Sequence, residues 1–367
     1  MNTLAWRSLG VPSTFGTQAA KALHNPYDKD LFMNTKNKAR FSRRAFLAAA
    51  AVGGAGLVLP GTARATAKGE PVATLLDLSK CIGCEACVLA CQETNGHKFP
   101  EPQKPFPKMY PARVKAEDWS ERRDTTDRLT PYNWLFIQRA TVEHQGQNLE
   151  INIPRRCMHC QNAPCANLCP FGACSTQADG IVRIDSGVCL GGAKCRQVCP
   201  WHIPQRQTGV GMYLNLMPGF AGNGVMYKCD RCFDRVAQGE LPACIEACPE
   251  QVQSIGPRKE IVRRAHELAE SMGGYIYGET ENGGTNTLYV SPVPFEALNA
   301  ALHAEHGENK PKAMASGFPH LGQVANSMAN EENLAWATLA APVAGLVAGV
   351  VGLGRILKRG GKENDYE

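Results

Sequence analysis

An α+β domain followed by a single C-terminal membrane helix is the architecture this sequence predicts. Three observations carry that expectation. All 16 cysteines fall between Cys81 and Cys248, in four groups with one left over. Short apolar runs suited to strands surround those groups, and one well-patterned amphipathic helix follows them. Near the C-terminus an uncharged run, Leu334–Gly354, is long enough to cross a bilayer. A length of 367 residues suffices for one or two domains with real cores, and 20% charged residues argues against wholesale disorder. The net charge of +5 is small and is spread over several segments, which argues against a nucleic-acid partner.

The N-terminal segment, residues 1–67, reads as an extension plus a targeting signal and lies outside the folded domain. Ser42-Arg43-Arg44-Ala45-Phe46-Leu47 joins a twin arginine to an apolar stretch ending at Leu59. Ala63-Arg64-Ala65 and Ala65-Thr66-Ala67 both offer the A-x-A form of a cleavage site. This resembles a Tat export signal. A basic turn before a buried helix is the rival reading, and Gly53-Gly54-Ala55-Gly56 makes a poor helix interior. Met33 is an alternative start, because Lys36, Lys38 and Arg40 then form a compact n-region without acids.

The expected domain covers residues 68–302. A strand at Val72 to Asp77 precedes the first cysteine group, Cys81-Ile82-Gly83-Cys84-Glu85-Ala86-Cys87 followed by Cys91. That C-x2-C-x2-C-x3-C spacing is the bacterial ferredoxin pattern. After a long stretch rich in prolines and charges comes a strand at Leu135 to Val142, then Cys157, Cys160, Cys165 and Cys169 with Pro170 behind the last. A strand at Ile181 to Asp185 leads to Cys189, Cys195 and Cys199 with Pro200; in this third group Gly192 occupies the place of the second cysteine. The fourth group is Cys229, Cys232, Cys244 and Cys248 with Pro249. Short helices are expected after each run. Arg258 to Met272 reads as an amphipathic helix with Ile261, Val262, Ala265, Leu268 and Ala269 on one face, and Thr287 to Val290 as a strand.

The chemistry explains the spacing. Three thiolates two residues apart on a tight loop reach three corners of one cuboidal cluster, and the fourth ligand comes from elsewhere in the fold. A structural zinc site uses two pairs and has no use for three cysteines at two-residue intervals. Covalent haem needs C-x-x-C-H, whereas Glu85, Gln161 and Phe233 follow Cys84, Cys160 and Cys232. Disulfides suit an exported protein, yet the Tat route carries proteins already folded around their cofactors. Cys174 lies outside the four groups and reads as a small buried hydrophobe. His159 and His202 sit beside the groups as supporting or surface residues, not as ligands. Arg155, Arg156, Lys194, Arg196, Lys228 and Arg231 crowd the groups, either raising cluster potentials or standing solvated.

Residues 303–333 read as a tether, 334–357 as the transmembrane helix and 358–367 as a tail. At about 1.5 Å per residue, Leu334–Gly354 matches a hydrocarbon core of about 30 Å. Gly345, Gly349, Gly352 and Gly354 suit close helix packing in a membrane despite Pro342. Glu331 and Glu332 precede the run, whereas Arg355, Lys358, Arg359 and Lys362 follow it, so the positive-inside rule puts the tail in the cytoplasm.

Signal, tandem groups and terminal helix together resemble the four-cluster, ferredoxin-type iron-sulfur (beta) subunits of periplasm-facing respiratory complexes. The hydrogenase-2 type, the membrane formate dehydrogenase type and the high-molecular-weight cytochrome complex of sulfate reducers share this plan. Arg156-Cys157-Met158-His159-Cys160 and Gly283-Gly284-Thr285-Asn286-Thr287-Leu288-Tyr289-Val290 carry the likeness beyond cysteine spacing. It covers roughly Thr74 to Leu298 plus the terminal helix, and departs at Gly192 and between Cys91 and Cys157.

The resemblance implies two tandem ferredoxin-like [4Fe-4S] modules in one domain. It pairs the outer and the inner groups. One cluster would use Cys81, Cys84, Cys87 and Cys248, and its neighbour Cys229, Cys232, Cys244 and Cys91. The inner pair would use Cys157, Cys160, Cys165 and Cys199, and then Cys189, Cys195 and Cys169. The expected complement is three [4Fe-4S] clusters plus one [3Fe-4S], or an incompletely ligated [4Fe-4S], at the Gly192 site. The iron-sulfur subunit of respiratory nitrate reductase is similar there, with a non-ligand residue in the third group and a three-iron cluster.

The expected function is a non-catalytic electron relay. Its donor or acceptor would be a hydrogenase or molybdopterin catalytic subunit or a multihaem cytochrome, and its membrane partner an integral quinone-reactive subunit. The expected location is the inner membrane, with one C-terminal span and a periplasmic iron-sulfur domain. No nucleophile, base and orienter constellation and no phosphate loop is evident in the sequence. The rival from another class is an iron-sulfur enzyme using the open-iron site near Gly192 for substrate chemistry.

Overall fold

The computed structural model of the chain describes residues 70–106, 115–212, 214, 224–306, 317–326, 328 and 329, all within the unit Thr66–Glu367. Strand β1 (Val72–Asp77) leads through a short 3-10 turn to helix α1 (Ala86–Asn95), and later to strands β2 (Phe136–His144) and β3 (Gln147–Arg155). The middle holds helix α2 (Pro164–Asn167), strands β4 (Cys174–Thr176) and β5 (Val182–Ile184), helix α3 (Lys194–Val198), and strands β6 (Gln205–Gln207) and β7 (Val225–Tyr227). Helices α4 (Phe233–Ala237) and α5 (Ala243–Glu246) then precede strand β8 (Gln253–Pro257), helix α6 (Arg258–Met272), strands β9 (Tyr275–Tyr277) and β10 (Thr287–Ser291), and helix α7 (Phe295–His306).

The main sheet has the order β8-β1-β10-β9, with β1 parallel to β10 and antiparallel to β8. Nearly all of β1 is buried, which is why Val72-Ala73-Thr74-Leu75-Leu76-Asp77 shows no apolar-polar alternation. One face of the sheet packs on α6 through Ala73, Leu75, Leu288 and Val290 against Ile261, Ala265 and Ala269. This is the predicted helix face, and Gly273 closes the helix in the left-handed conformation that a C-terminal cap requires. The other face, with Leu76 and Tyr289, joins the larger core that also holds the cysteines. β2 and β3 form a two-residue hairpin whose turn residues, Gln145 and Gly146, both have positive φ, the geometry that matches strand twist.

The predicted strands are present with small shifts of their ends. Two expectations change. The short helices fall within the cysteine runs instead of after them: α1 carries Cys87 and Cys91, α2 carries Cys165, α3 carries Cys195 and α5 carries Cys244. The domain also extends past residue 302. α7 runs to His306, and residues 317–326, read as tether, pack back on the body. Leu321 is buried and its N–H donates to Asn299 Oδ1 at 2.9 Å, while Arg155 Nη2 donates to His320 O at 2.7 Å and Asn282 N–H to Val324 O at 2.8 Å. Isolated apolar residues such as Leu321 have no period to reveal them in the sequence. Among the described residues no helix is long and apolar enough to cross a membrane. The twin-arginine segment and Leu334–Gly354 lie outside the described residues.

Candidate metal centres

One backbone device recurs in all four cysteine groups. The residue just before the second ligand position is left-handed each time: Gly83 (φ 69°), His159 (φ 47°), Gly191 (φ 65°) and Arg231 (φ 58°). Three of these next positions are Cys84, Cys160 and Cys232, and the fourth is Gly192. The turn thus persists in the third group although its ligand is missing. A second device follows the cysteine–proline pairs: Gly172, His202 and Gln251, three residues past Cys169, Cys199 and Cys248, are all left-handed and donate their N–H to those cysteines' carbonyls. Non-glycine residues held this way cost about 1–2 kcal/mol each and persist where the surroundings impose them.

These turns gather the thiols. Cys81, Cys84, Cys87 and Cys248 ring a first cavity. Cys91, Cys229, Cys232 and Cys244 ring a second. Cys157, Cys160, Cys165 and Cys199 ring a third. Cys169, Cys189 and Cys195 make a fourth group, in which Cys169 lies within electrostatic reach of Cys189, and both lie within reach of Cys195. All 16 cysteines are free of disulfides. Among the described residues no three His, Cys, Asp or Glu side chains converge on a point fit for a single metal ion. The thiols surround volumes, as a polynuclear cluster requires.

The donor chemistry fits iron-sulfur clusters. Backbone N–H groups point at the sulfurs: Arg231 N to Cys229 Sγ at 3.3 Å, Gly191 N to Cys189 Sγ at 3.4 Å and Val252 N to Cys248 Sγ at 3.4 Å. Asn95 Nδ2 lies 3.7 Å from both Cys91 and Cys232 sulfurs. Such donors favour thiolate, whereas burial pushes the free thiols of Cys87, Cys160, Cys195 and Cys229 up to about 12. Cluster binding would supply the charge stabilisation that empty cavities lack.

The four groups succeed one another. α1 packs on α5, bringing Cys87 of the first group near Cys244 of the second. Cys229 of the second lies within electrostatic reach of Cys157 of the third, and α2 packs on α3, bringing Cys165 near Cys195 of the fourth. Spacing reveals the local turns of each group, but only the packed helices reveal this sequence of neighbours.

The basic residues that crowd the motifs divide into two kinds. Lys194 is exposed, and Arg196 is held by Glu117, which also binds Arg206 at 2.6 Å. Burial alone would raise the Glu117 carboxyl, but the two guanidiniums outweigh it and hold it below the usual range. Arg155, Arg156, Lys228 and Arg231 are instead buried, and among the described residues none is ion-paired with a carboxylate. Arg156 Nη1 donates to Cys244 Sγ at 2.9 Å and to Gln253 Oε1. Arg231 donates to the carbonyls of Val72 and Asn286; burial, then the charge of Arg156, pulls it down to about 10. His159 is buried and neutral: burial and three nearby cations depress it, and its Nδ1 accepts from Val182 N at 3.0 Å. His202 meets the Arg196 carbonyl.

Cys174 is buried as expected, but its surroundings are not merely apolar. Its thiol hydrogen-bonds the Cys165 sulfur, which lowers Cys165 and raises Cys174, and its N–H donates to Cys169 Sγ at 3.4 Å. The Cys174→Ser variant should keep the full iron content, because a hydroxyl still donates, whereas Cys174→Ala should lower the potential of one cluster only. Iron analysis and redox titration check both; loss of a whole cluster in the serine variant would make Cys174 a ligand.

Known proteins resemble this arrangement. Two family models, each described as a 4Fe-4S dicluster domain, match residues 80–173 and 150–258. A protein of Nitratidesulfovibrio vulgaris is 33% identical over 269 residues, covering 70% of this chain and 65% of its own length. The hydrogenase-2 operon protein HybA of Escherichia coli O157:H7 is 30% identical over 302 residues, covering 70% of this chain and 83% of that protein. The nitrate-inducible formate dehydrogenase iron-sulfur subunit of Escherichia coli K12 is 31% identical over 227 residues, covering 60% and 67%.

Proposed function

Since the chain belongs to the family of 4Fe-4S dicluster, ferredoxin-type electron-transfer subunits, we propose that it relays electrons through four clusters between a catalytic or multihaem partner and a quinone-reactive membrane subunit. The observation that carries this reading is the unbroken succession of thiol groups, from Cys84, exposed at one end, to the group of Cys189 at the other. When bound, the clusters supply one-electron carriers. The chain's own residues hold them: Cys81, Cys84, Cys87 and Cys248; Cys91, Cys229, Cys232 and Cys244; Cys157, Cys160, Cys165 and Cys199; and Cys169, Cys189 and Cys195. The N–H groups of Gly191, Arg231 and Val252 offset thiolate charge, and the apolar core keeps water away from the inner groups.

The fourth group has only three thiols, because Gly192 stands at the second position and Cys174 is engaged with Cys165. A three-iron cluster suits that donor set. The twin arginine and the basic flank after Gly354 support a periplasmic domain on a single inner-membrane span, delivered by the Tat route. Spheroplasts tested with protease should lose the cluster domain and retain the tail. In solubilised membranes the partner's substrate should reduce the clusters and a quinone analogue should reoxidise them. Protection of the domain in spheroplasts would defeat the topology, and turnover of a substrate by the isolated chain would defeat the relay.

A further inference from the structure

Lys228 occupies the middle junction of the succession. It lines the cavity ringed by Cys157, Cys160, Cys165 and Cys199, and it is the chain neighbour of Cys229 in the second group. Its ammonium donates to Val182 O and, at 3.1 Å, to Cys229 O. Only 6% of the residue is exposed, and among the described residues no carboxylate pairs with it. Asp230, two residues on, is taken by Lys98 at 2.8 Å. A buried cation whose partners are two carbonyls keeps its charge only if a negative group lies close by. Of the carboxylates that line a second cavity with Lys228, Asp230 and Asp234 are both taken by Lys98 and Asp185 accepts from Gly187 N, so among the described residues the negative groups left to its ammonium are the sulfurs of the two adjoining thiol groups and whatever they bind.

We propose that Lys228 is the shared counter-charge of the two central clusters, a positioning residue that biases both toward the reduced state. Each electron added to a cluster adds one negative charge, and a fixed cation nearby favours that addition. Because Lys228 serves the groups on both sides, it favours reduction on each and leaves the step between them small. Val182 fixes the ammonium from β5, so the charge is held by strand geometry and not by a mobile loop. The inference rests on the relay reading, but the two fail separately, since cluster potentials are read on the isolated protein without any partner.

The test is a redox titration, followed by electron paramagnetic resonance, of the full-length holoprotein and its Lys228→Gln, Lys228→Met and Lys228→Arg variants. Gln keeps a hydrogen-bond donor without the charge, and Arg keeps the charge. In the Gln and Met variants two of the reduction steps should move to lower potential, with the reduced-to-oxidised ratio at a fixed ambient potential falling about tenfold, equivalent to about 59 mV for a one-electron couple. The other steps should stay in place, and Arg should titrate like the native protein. If Gln and Met fail to load iron while Arg loads fully, the charge requirement is shown by assembly instead. Unchanged potentials in a loaded Gln or Met variant, a uniform shift of all steps, or failure of the Arg variant to load would each overturn the proposal.

Discussion

Protein stripped of iron by acid and chelator should lose its cooperative thermal unfolding transition. The reason lies in what the empty cavities leave behind. Arg156, Lys228 and Arg231 stay buried without a carboxylate, and the nearby thiols of Cys87 and Cys229, pushed up to about 12 by burial, are neutral at pH 7. Leaving a buried charge without its partner costs about 3–5 kcal/mol. Three such charges cost on the order of 10 kcal/mol, which rivals the whole stability of a domain, about 5–15 kcal/mol. The helices that carry the cysteines cannot compensate. α2, α3 and α5 have four or five residues each and α1 has ten, all below the length at which helices persist alone.

The second core, where α6 packs on the main sheet, contains no cysteine. The stripped protein should therefore retain part of its far-ultraviolet dichroism and lose the near-ultraviolet signal of Trp134 and Trp201, both buried in the cysteine-rich core. Calorimetry and circular dichroism on the same sample check this. A stripped protein that melts cooperatively within a few degrees of the loaded one would show that the clusters are passengers in a self-sufficient fold.

Gly192→Cys should raise the iron content by one atom per chain and abolish a paramagnetic signal of the oxidised protein. A three-iron cluster is paramagnetic when oxidised and a four-iron cluster is silent, so the change is qualitative. The site can take the thiol. A Cβ at Gly192 meets nothing within 4 Å, and Gly192 is not itself in the left-handed region. Gly191 before it has the same left-handed turn as Gly83 before Cys84, and both Gly192 and Cys84 are exposed. The new thiolate adds negative charge, so the potential of that cluster should fall. A native protein silent in its oxidised state, with iron for four complete cubanes, would refute the three-iron assignment before the variant is made.

Much of this molecule is legible in its sequence because its strongest signals are local. A C-x2-C-x2-C run specifies a tight loop through a few consecutive dihedrals, and the apolar face of α6 repeats at the helical period. Gly192 stands out by its place in the run, where the other three groups carry a cysteine. The core role of α6 and the ends of β1 followed from the same short-range patterns.

Tertiary structure alone decided the rest. Which cysteine of one group faces another depends on α1 meeting α5 and α2 meeting α3, contacts between segments far apart in the chain. The six basic residues near the motifs look alike in sequence, yet Arg196 is neutralised by Glu117 whereas Lys228 and Arg156 are buried among sulfurs. Cys174 has no spacing that points to Cys165, and residues 317–326 have no periodicity that points to their seat on the domain. Spacing encodes the reach of a loop of a few residues. Burial, and with it the energy of every charge in the core, depends on what the rest of the chain brings to cover it.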